Sequence, residues 1–306
     1  MEQKNTCTEL GFLGLGRMGA NMVERILASG KIRVVVWNRS AEPAIRLEKL
    51  GAIRANTPQE VVSLLKAPRK AVWLMLPSGE VTRKHFEMMV ESLSEGDVLV
   101  DGANSNFHDT VARHSEASRR GITMLDVGVS GGIIAAQRGY PMMIGGARET
   151  FEYMLPVFQS FGISEGFDLM GPGGSGHYVK MVHNAIEYGM MQAIAEGFDL
   201  LKEGSFPALD LKKIAHLWNH GTIISSFLME MVENGLHNGV DDLIPHVDDS
   251  GEGRWAAEEA IQHKVPFAVN SLALNTRFMS QRRTDDFGLK MVAAMRREFG
   301  GHSVKK

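Results

Sequence analysis

The chain has 306 residues, 44% hydrophobic and 23% charged, which are ordinary globular proportions with room for one large domain or two modest ones. A formal charge of -3 gives no electrostatic reason to expect nucleic acid or an anionic membrane as partner, so an anionic substrate needs a local basic site. The single cysteine, Cys7, rules out an internal disulfide framework and suits a reducing compartment. With a polar stretch at 1–9 and no apolar run near the roughly eighteen residues of a bilayer span, a soluble cytoplasmic protein is expected.

In chain order, short apolar runs predict strands at 9–13, 33–37, 71–76, 98–101, 123–127 and 141–144. Apolar residues at helical spacing predict helices between them at 18–29, 41–50, 58–65, 81–93 and 107–120. That alternation is the pattern of a mainly parallel, doubly wound sheet of Rossmann type. Gly171-Pro172-Gly173-Gly174-Ser175-Gly176 predicts a turn or flexible joint. Beyond it the pattern is helical throughout, at 178–202, 209–219, 223–234, 254–263, 267–280 and 285–299. The fold class is therefore α/β followed by all-α, with domains over 1–175 and 176–306.

Gly14-Leu15-Gly16-Arg17-Met18-Gly19 follows the first strand and opens a helix, the context a dinucleotide-binding Gly-x-Gly-x-x-Gly turn requires. Gly14 permits the tight turn, Gly16 the approach of a pyrophosphate, and Gly19 close packing of helix on strand. Glycines that serve packing alone fit the same letters. The second strand ends at Asn38-Arg39-Ser40, where NAD-binding domains place an acid against the ribose 2′-hydroxyl. A neutral Asn38 beside Arg39 suits a 2′-phosphate instead, so NADP is the expected cofactor, with NAD possible. Leu76 and Pro77, Asn104, and Ser130-Gly131-Gly132 stand at later strand ends and are expected to line the same crevice.

Lys180, His183, Asn184, Glu187 and Tyr188 fall at i, i+3, i+4, i+7 and i+8, along one face of a helix. A solvated face has the same spacing, although such a face is usually repeated Glu and Lys rather than five different polar types. A lysine and a carboxylate two turns apart can act as base and acid on two ends of one small substrate.

These residues resemble the 6-phosphogluconate dehydrogenases, in particular their shorter bacterial form. The resemblance covers nearly the whole chain: Gly-Leu-Gly-Arg-Met-Gly at 14–19, Gly-Val-Ser-Gly-Gly at 128–132 and Lys-Met-Val-His-Asn-Ala-Ile-Glu-Tyr-Gly at 180–189. It continues through Leu-Trp-Asn-His-Gly at 217–221, Asp-Ser-Gly-Glu-Gly-Arg-Trp at 249–255 and Phe-Gly-Gly-His at 299–302. It implies that Lys180 takes the 3-hydroxyl proton and that Glu187 protonates C1 after carbon dioxide leaves. It implies sugar-acid contacts from Asn104, Ser130, Gly131, Gly132, His183 and Asn184, and phosphate contacts from Tyr188 and Arg277. Arg296 and His302 are implied to act from a second subunit's C-terminal segment, so the helical domain is expected to bind substrate and to form a homodimer or homotetramer.

Ala185 replaces the family's usual glycine, Ser250 stands where longer enzymes carry lysine, and Asn275-Thr276 replace the more usual Phe-Ala before Arg277. No metal is expected, since a 3-keto acid decarboxylates without one and no zinc-ligand spacing occurs. Asp241-Asp242 and Asp248-Asp249 are expected in solvated turns, Arg254 and Trp255 either at the pocket or at a helix cap, and paired methionines in packing. A dehydrogenase acting on a small unphosphorylated β-hydroxyacid shares the glycines and Lys180 but has no use for Tyr188 and Arg277. A silent NADP-binding protein would keep only the glycines.

Overall fold

A computed structural model describes residues 6–206, 208–282 and 286–301. It separates into two compact units, Met1–Lys180 and Met181–Lys306, with the division inside one long helix.

The first unit is built on an eight-stranded sheet in the order β3-β2-β1-β4-β5-β6-β7-β8. Its strands are β1 (Glu9–Leu13), β2 (Arg33–Trp37), β3 (Ile53–Arg54), β4 (Ala71–Leu74), β5 (Val98–Asp101), β6 (Thr123–Val129), β7 (Met142–Gly146) and β8 (Phe167–Gly171). Helices α1 (Arg17–Ser29), α2 (Ala41–Glu48), α3 (Pro58–Leu64), α4 (Glu80–Ser92), α5 (Phe107–Arg119), α6 (Ala135–Arg138) and α7 (Arg148–Ser160) connect them. The pairings from β3 to β6 are parallel, and only the β6·β7 pair is antiparallel.

Alternate strand residues serve two cores, which is why the central strands read as unbroken apolar runs. Leu10, Phe12, Val34, Val36, Trp73, Val100 and Val127 join α1 and α7 on one face. Leu13, Val35, Val72, Leu74 and Leu99 join α3 and α4 on the other. Strand order reverses between β1 and β4, so the crevice beyond their carboxyl ends is where such a sheet takes a ligand.

Four elements escape the sequence pattern. β3 is two residues long, α6 is one turn, and β8 is an edge strand whose residues alternate between half-buried and exposed. α7 contains Pro156, ordinarily a helix breaker, yet its Phe151, Met154, Val157 and Phe158 are buried and hold the helix to the sheet.

Helix α8 (Ser175–Glu203) carries the chain into the second unit, which continues with α9 (Leu211–Asn219), α10 (Phe227–His237), α11 (Glu252–Gln262), α12 (Ala268–Ser280) and α13 (Phe287–Gly300). α10 begins four residues later than its apolar pattern suggests, because the Ser226 hydroxyl caps it by accepting from the Met229 N–H. α13 is the core helix of this unit, buried from Met291 to Arg296, and Gly235 of α10 lets it approach at Ala294.

A Cβ on Gly19 would stand 2.1 Å from the Gly14 carbonyl oxygen, so α1 can lie on the β1 turn only if residue 19 is glycine. Gly19→Ala is expected to cost about 1–3 kcal/mol, read as a lower urea midpoint at unchanged m-value.

Candidate active site

The turn after β1 has the geometry a dinucleotide needs. Gly14 sits at φ +101°, and a Cβ there would fall 2.2 Å from the Met75 carbonyl oxygen, so no other residue fits between β1 and β4. A Cβ at Gly16 would meet nothing within 4 Å. Gly16 is also the N-cap of α1, with no N-cap side chain bonded to the helix and no acid in the first turn, so the positive end of the helix faces the turn as a phosphate site requires. Asn38 reaches back to this loop: its Oδ1 accepts from the Leu15 N–H at 2.9 Å, and its Nδ2 donates to the Ser40 carbonyl and hydroxyl, each at 3.0 Å. The side chain of Asn38 therefore braces the loop, while Arg39 is exposed beside it.

At the end of β5, Asn104 adopts φ 49°, a left-handed conformation uncommon outside glycine. Both ends of its amide are committed to Val129, with Oδ1 accepting from the N–H at 3.0 Å and Nδ2 donating to the carbonyl at 3.2 Å. Asn104 thus fixes the end of β6, from which Ser130, Gly131 and Gly132 emerge. Gly131 and Gly132 have φ of +90° and +57°, a turn that requires glycine twice.

Lys180 is 5% exposed. Its stem lies directly over β6, because a Cβ on Gly128 would come within 2.3 Å of the Lys180 Cβ. The start of α8 is pressed to the sheet in the same way: a Cβ on Gly176 would meet the Asp126 and Met143 carbonyls and the Gly145 N–H. The expected joint at 171–176 is a turn, but its glycines serve close approach. Those at 173 and 174 admit the His114 ring and Val111 of α5.

Sequence reasoning missed Asp126, which is fully buried. Its Oδ1 accepts from the Gly174 N–H at 2.7 Å and from His114 Nε2 at 2.9 Å, and its Oδ2 accepts from the His177 N–H at 2.9 Å. Gly174 and His177 flank the first turn of α8, so Asp126 caps that helix from a neighbouring strand. Burial alone would raise its proton affinity. The His114 hydrogen bond, the nearby His177 and the Gly174 N–H outweigh burial and hold it below the usual carboxylate range. The signal available in sequence was an aspartate inside an apolar strand, a residue almost never buried without partners.

In the second unit, the polar face of α8 is held by the segment before and within α11. Asn184 Nδ2 donates to Glu252 Oε1 at 3.0 Å, and Asn184 Oδ1 lies 3.0 Å from His183 Nδ1. Glu252 is 8% exposed, and its Oε2 has no hydrogen-bond partner among the described residues. His183 Nδ1 lies 4.0 Å from Glu187 Oε2. The Tyr188 hydroxyl is 3.1 Å from the Ser250 hydroxyl, and Gly253 packs on the Tyr188 ring. Arg254 pairs with Asp249 at 3.2 Å, and the Trp255 ring covers Gly251.

Arg277 lies over the Tyr188 ring at 3.1 Å and is 3% exposed, with one terminal nitrogen lacking an acceptor among the described residues. Burial pushes its guanidinium down to about 10, opposed by Tyr188 and reinforced by the charge of Arg296 in the same chain, so it remains a cation at neutral pH. Burial raises Tyr188. His302 lies outside the described residues. Among those described, no group of three or more His, Cys, Asp or Glu side chains is placed to hold a metal ion, and no helix is long and apolar enough to cross a membrane.

Residues 9–171 match the family described as the NAD binding domain of 6-phosphogluconate dehydrogenase, and residues 176–302 match the 6-phosphogluconate dehydrogenase C-terminal domain. An NAD(+)-dependent, decarboxylating 6-phosphogluconate dehydrogenase of Haloferax volcanii is 37% identical over 97% of this chain and 99% of its own length. A decarboxylating 6-phosphogluconate dehydrogenase of Saccharomyces cerevisiae is 34% identical over 89% of this chain and 58% of its own. The Plasmodium falciparum 6-phosphogluconate dehydrogenase, solved apo, with its cofactor NADP+ and with its substrate 6-phosphogluconate, superimposes with a TM-score of 0.81 at 28% identity. That match covers 89% of this chain, which spans 62% of the Plasmodium enzyme.

The proton affinity of Asp126 is lower in the folded than in the unfolded chain, so its stabilising contribution is complete above the ordinary carboxylate range and is lost as pH falls through the folded value. The stability difference between wild type and Asp126→Asn, from urea unfolding at a series of pH values, is expected to be largest near neutrality and to shrink below that range.

Proposed function

The chain belongs to the 6-phosphogluconate dehydrogenase family, and we propose that it converts 6-phosphogluconate to ribulose 5-phosphate and carbon dioxide, with NADP as the preferred oxidant. The observation that carries the substrate assignment is the buried Arg277, stacked on Tyr188 with a terminal nitrogen that has no acceptor among the described residues and within the electrostatic reach of the buried Arg296. Two buried guanidinium groups with an open donor form a site for a dianionic phosphate, which a plain hydroxyacid does not supply.

The glycine turn and the N-terminus of α1 are the groups that would hold the dinucleotide pyrophosphate, with Leu15, Arg17, Met18, Leu76 and Pro77 around it. The bound dinucleotide supplies the acceptor for hydride leaving C3. Lys180 takes the proton of the 3-hydroxyl, and the resulting ammonium stands by the C3 oxygen and offsets charge that builds there as the C1–C2 bond breaks. Glu187, seven residues along α8, delivers a proton to C1 of the enediol. Ser130, Gly131, Gly132, His183 and Asn184 hold the carboxylate and hydroxyls, with Asn104 fixing the strand end from which the first three project.

The preference for NADP rests on Asn38 and the exposed Arg39. The Haloferax relative is named as NAD-dependent, so the same assay is run with both dinucleotides. Ile186, Met190 and Leu200 on α8, with Val269 and Leu272 on α12, are exposed apolar residues that support a homodimer or homotetramer. The charge of Arg296 is felt at Arg277 within one chain, and Arg296 and His302 both remain candidates for a contribution to a neighbour's site. The proposed chemistry and the buried free thiol support a cytoplasmic location.

Purified protein supplied with NADP or NAD and a panel of phosphorylated and plain sugar acids is expected to release reduced cofactor with 6-phosphogluconate and to favour NADP by kcat/KM. Turnover of a plain hydroxyacid in its place would overturn the assignment. Lys180→Met is expected to lower kcat about 10²–10⁴-fold with cofactor affinity retained. Arg277→Met is expected to raise KM for 6-phosphogluconate at least about tenfold, the loss of one charge-assisted contact, while leaving the KM for NADP unchanged.

A further inference from the structure

Helix α5 and strand β6 make an assembly around the start of α8 that the reaction does not touch. The His114 ring donates through Nε2 to Asp126 Oδ1, the only sense available to a carboxylate acceptor. Asp126 in turn receives the N–H groups of Gly174 and His177. The Thr110 hydroxyl donates to the Asn106 carbonyl at 3.1 Å, so it accepts from His177 Nδ1 at 2.8 Å. Three contacts thus tie the first turn of α8 to β6 and α5, and Lys180 sits one turn further along the helix, its stem pressed on Gly128 of β6.

We infer that Asp126, oriented by His114, is a positioning residue for Lys180: its carboxylate sets the height and rotation of the first turn of α8 on β6 and thereby the place of the lysine ammonium. A purely structural cap would need only to stop the helix fraying, for which one backbone acceptor suffices. Here both carboxylate oxygens are used on N–H groups three residues apart and the carboxylate is itself held by a side chain, which fixes rotation as well as start. Gly128, Gly145 and Gly176 remove Cβ atoms that would hold the helix off the sheet, so a small turn of α8 moves Lys180 directly. Asparagine at 126 turns one acceptor into a donor facing an N–H, and the helix must rotate or lift to relieve it.

The inference rests on Lys180 being the base of the proposed reaction, so the test pairs kinetics with a signal that needs no substrate. That signal is the Cε resonance of Lys180 in protein labelled with 13C-lysine, assigned by its loss in Lys180→Met. In Asp126→Asn, kcat is expected to fall about 10- to 100-fold, with KM for 6-phosphogluconate and NADP affinity within about twofold of wild type, and the Lys180 resonance to move. His114→Leu is expected to do the same to a smaller extent, and His114→Gln, which keeps a donor to Asp126, to restore both. Should Asp126→Asn not fold, the His114 pair carries the test. A Lys180 resonance unmoved in the variants, or a kcat loss that only follows the folded fraction, would overturn the positioning role. A resonance that moves in protein without 6-phosphogluconate turnover would uphold the positioning and remove the functional assignment instead.

Discussion

A buried carboxylate at the start of one helix is the constraint from which the rest of the first unit can be understood. Asp126 is fully inside the protein and is charged there because three donors surround it, two of them N–H groups at the start of α8 that the helix cannot satisfy internally. Its attraction to the positive end of the helix anchors α8 on the sheet. The anchor works only because Gly128, Gly145 and Gly176 leave no side chain between helix and strands. The stem of Lys180 is pressed on β6 by that contact, and the residue is buried.

The second unit uses a different device on the same helix. The segment 249–255 brings Ser250 to the Tyr188 hydroxyl, Glu252 to Asn184 and Gly253 to the Tyr188 ring, so that two polar residues of α8 are fixed by one short stretch of chain. Arg277 then puts positive charge on Tyr188, with the charge of Arg296 felt at Arg277, in a chain whose overall charge is slightly negative. That local reversal of sign is what an anionic substrate needs and what the net charge alone does not supply.

Much of this was legible in the sequence. The glycine turn at 14–19 announces its role because each glycine answers a separate demand of the backbone, and the central strands are recognisable as apolar runs because both faces are covered. The face from Lys180 to Tyr188 is visible as a period of 3.6. Helix α7 was hidden by Pro156, and β3 and β8 by being short or half exposed at the sheet edges. The partnership of Asp126 with His114 and His177 could not be read, since hydrogen bonds across 12 and 51 residues leave no periodic trace. The glycines at 171–176 looked like a hinge for the same reason: glycine is required both for flexibility and for contact, and only the neighbours distinguish the two. Ser250, where a charge is missing relative to the longer enzymes, acquires a partner in Tyr188 that its sequence position did not suggest.

The proposed roles of Lys180 at the hydroxyl to be oxidised and of Tyr188 and Arg277 at the phosphate end share one substrate. A crystal structure of the chain with 6-phosphogluconate bound tests it most directly. The account predicts Lys180 Nζ within about 2.6–3.2 Å of the C3 hydroxyl oxygen, the phosphate on Arg277 and the Asp126 contacts to Gly174 and His177 intact. A substrate bound with its phosphate away from Arg277, or with Lys180 out of reach of C3, would contradict it.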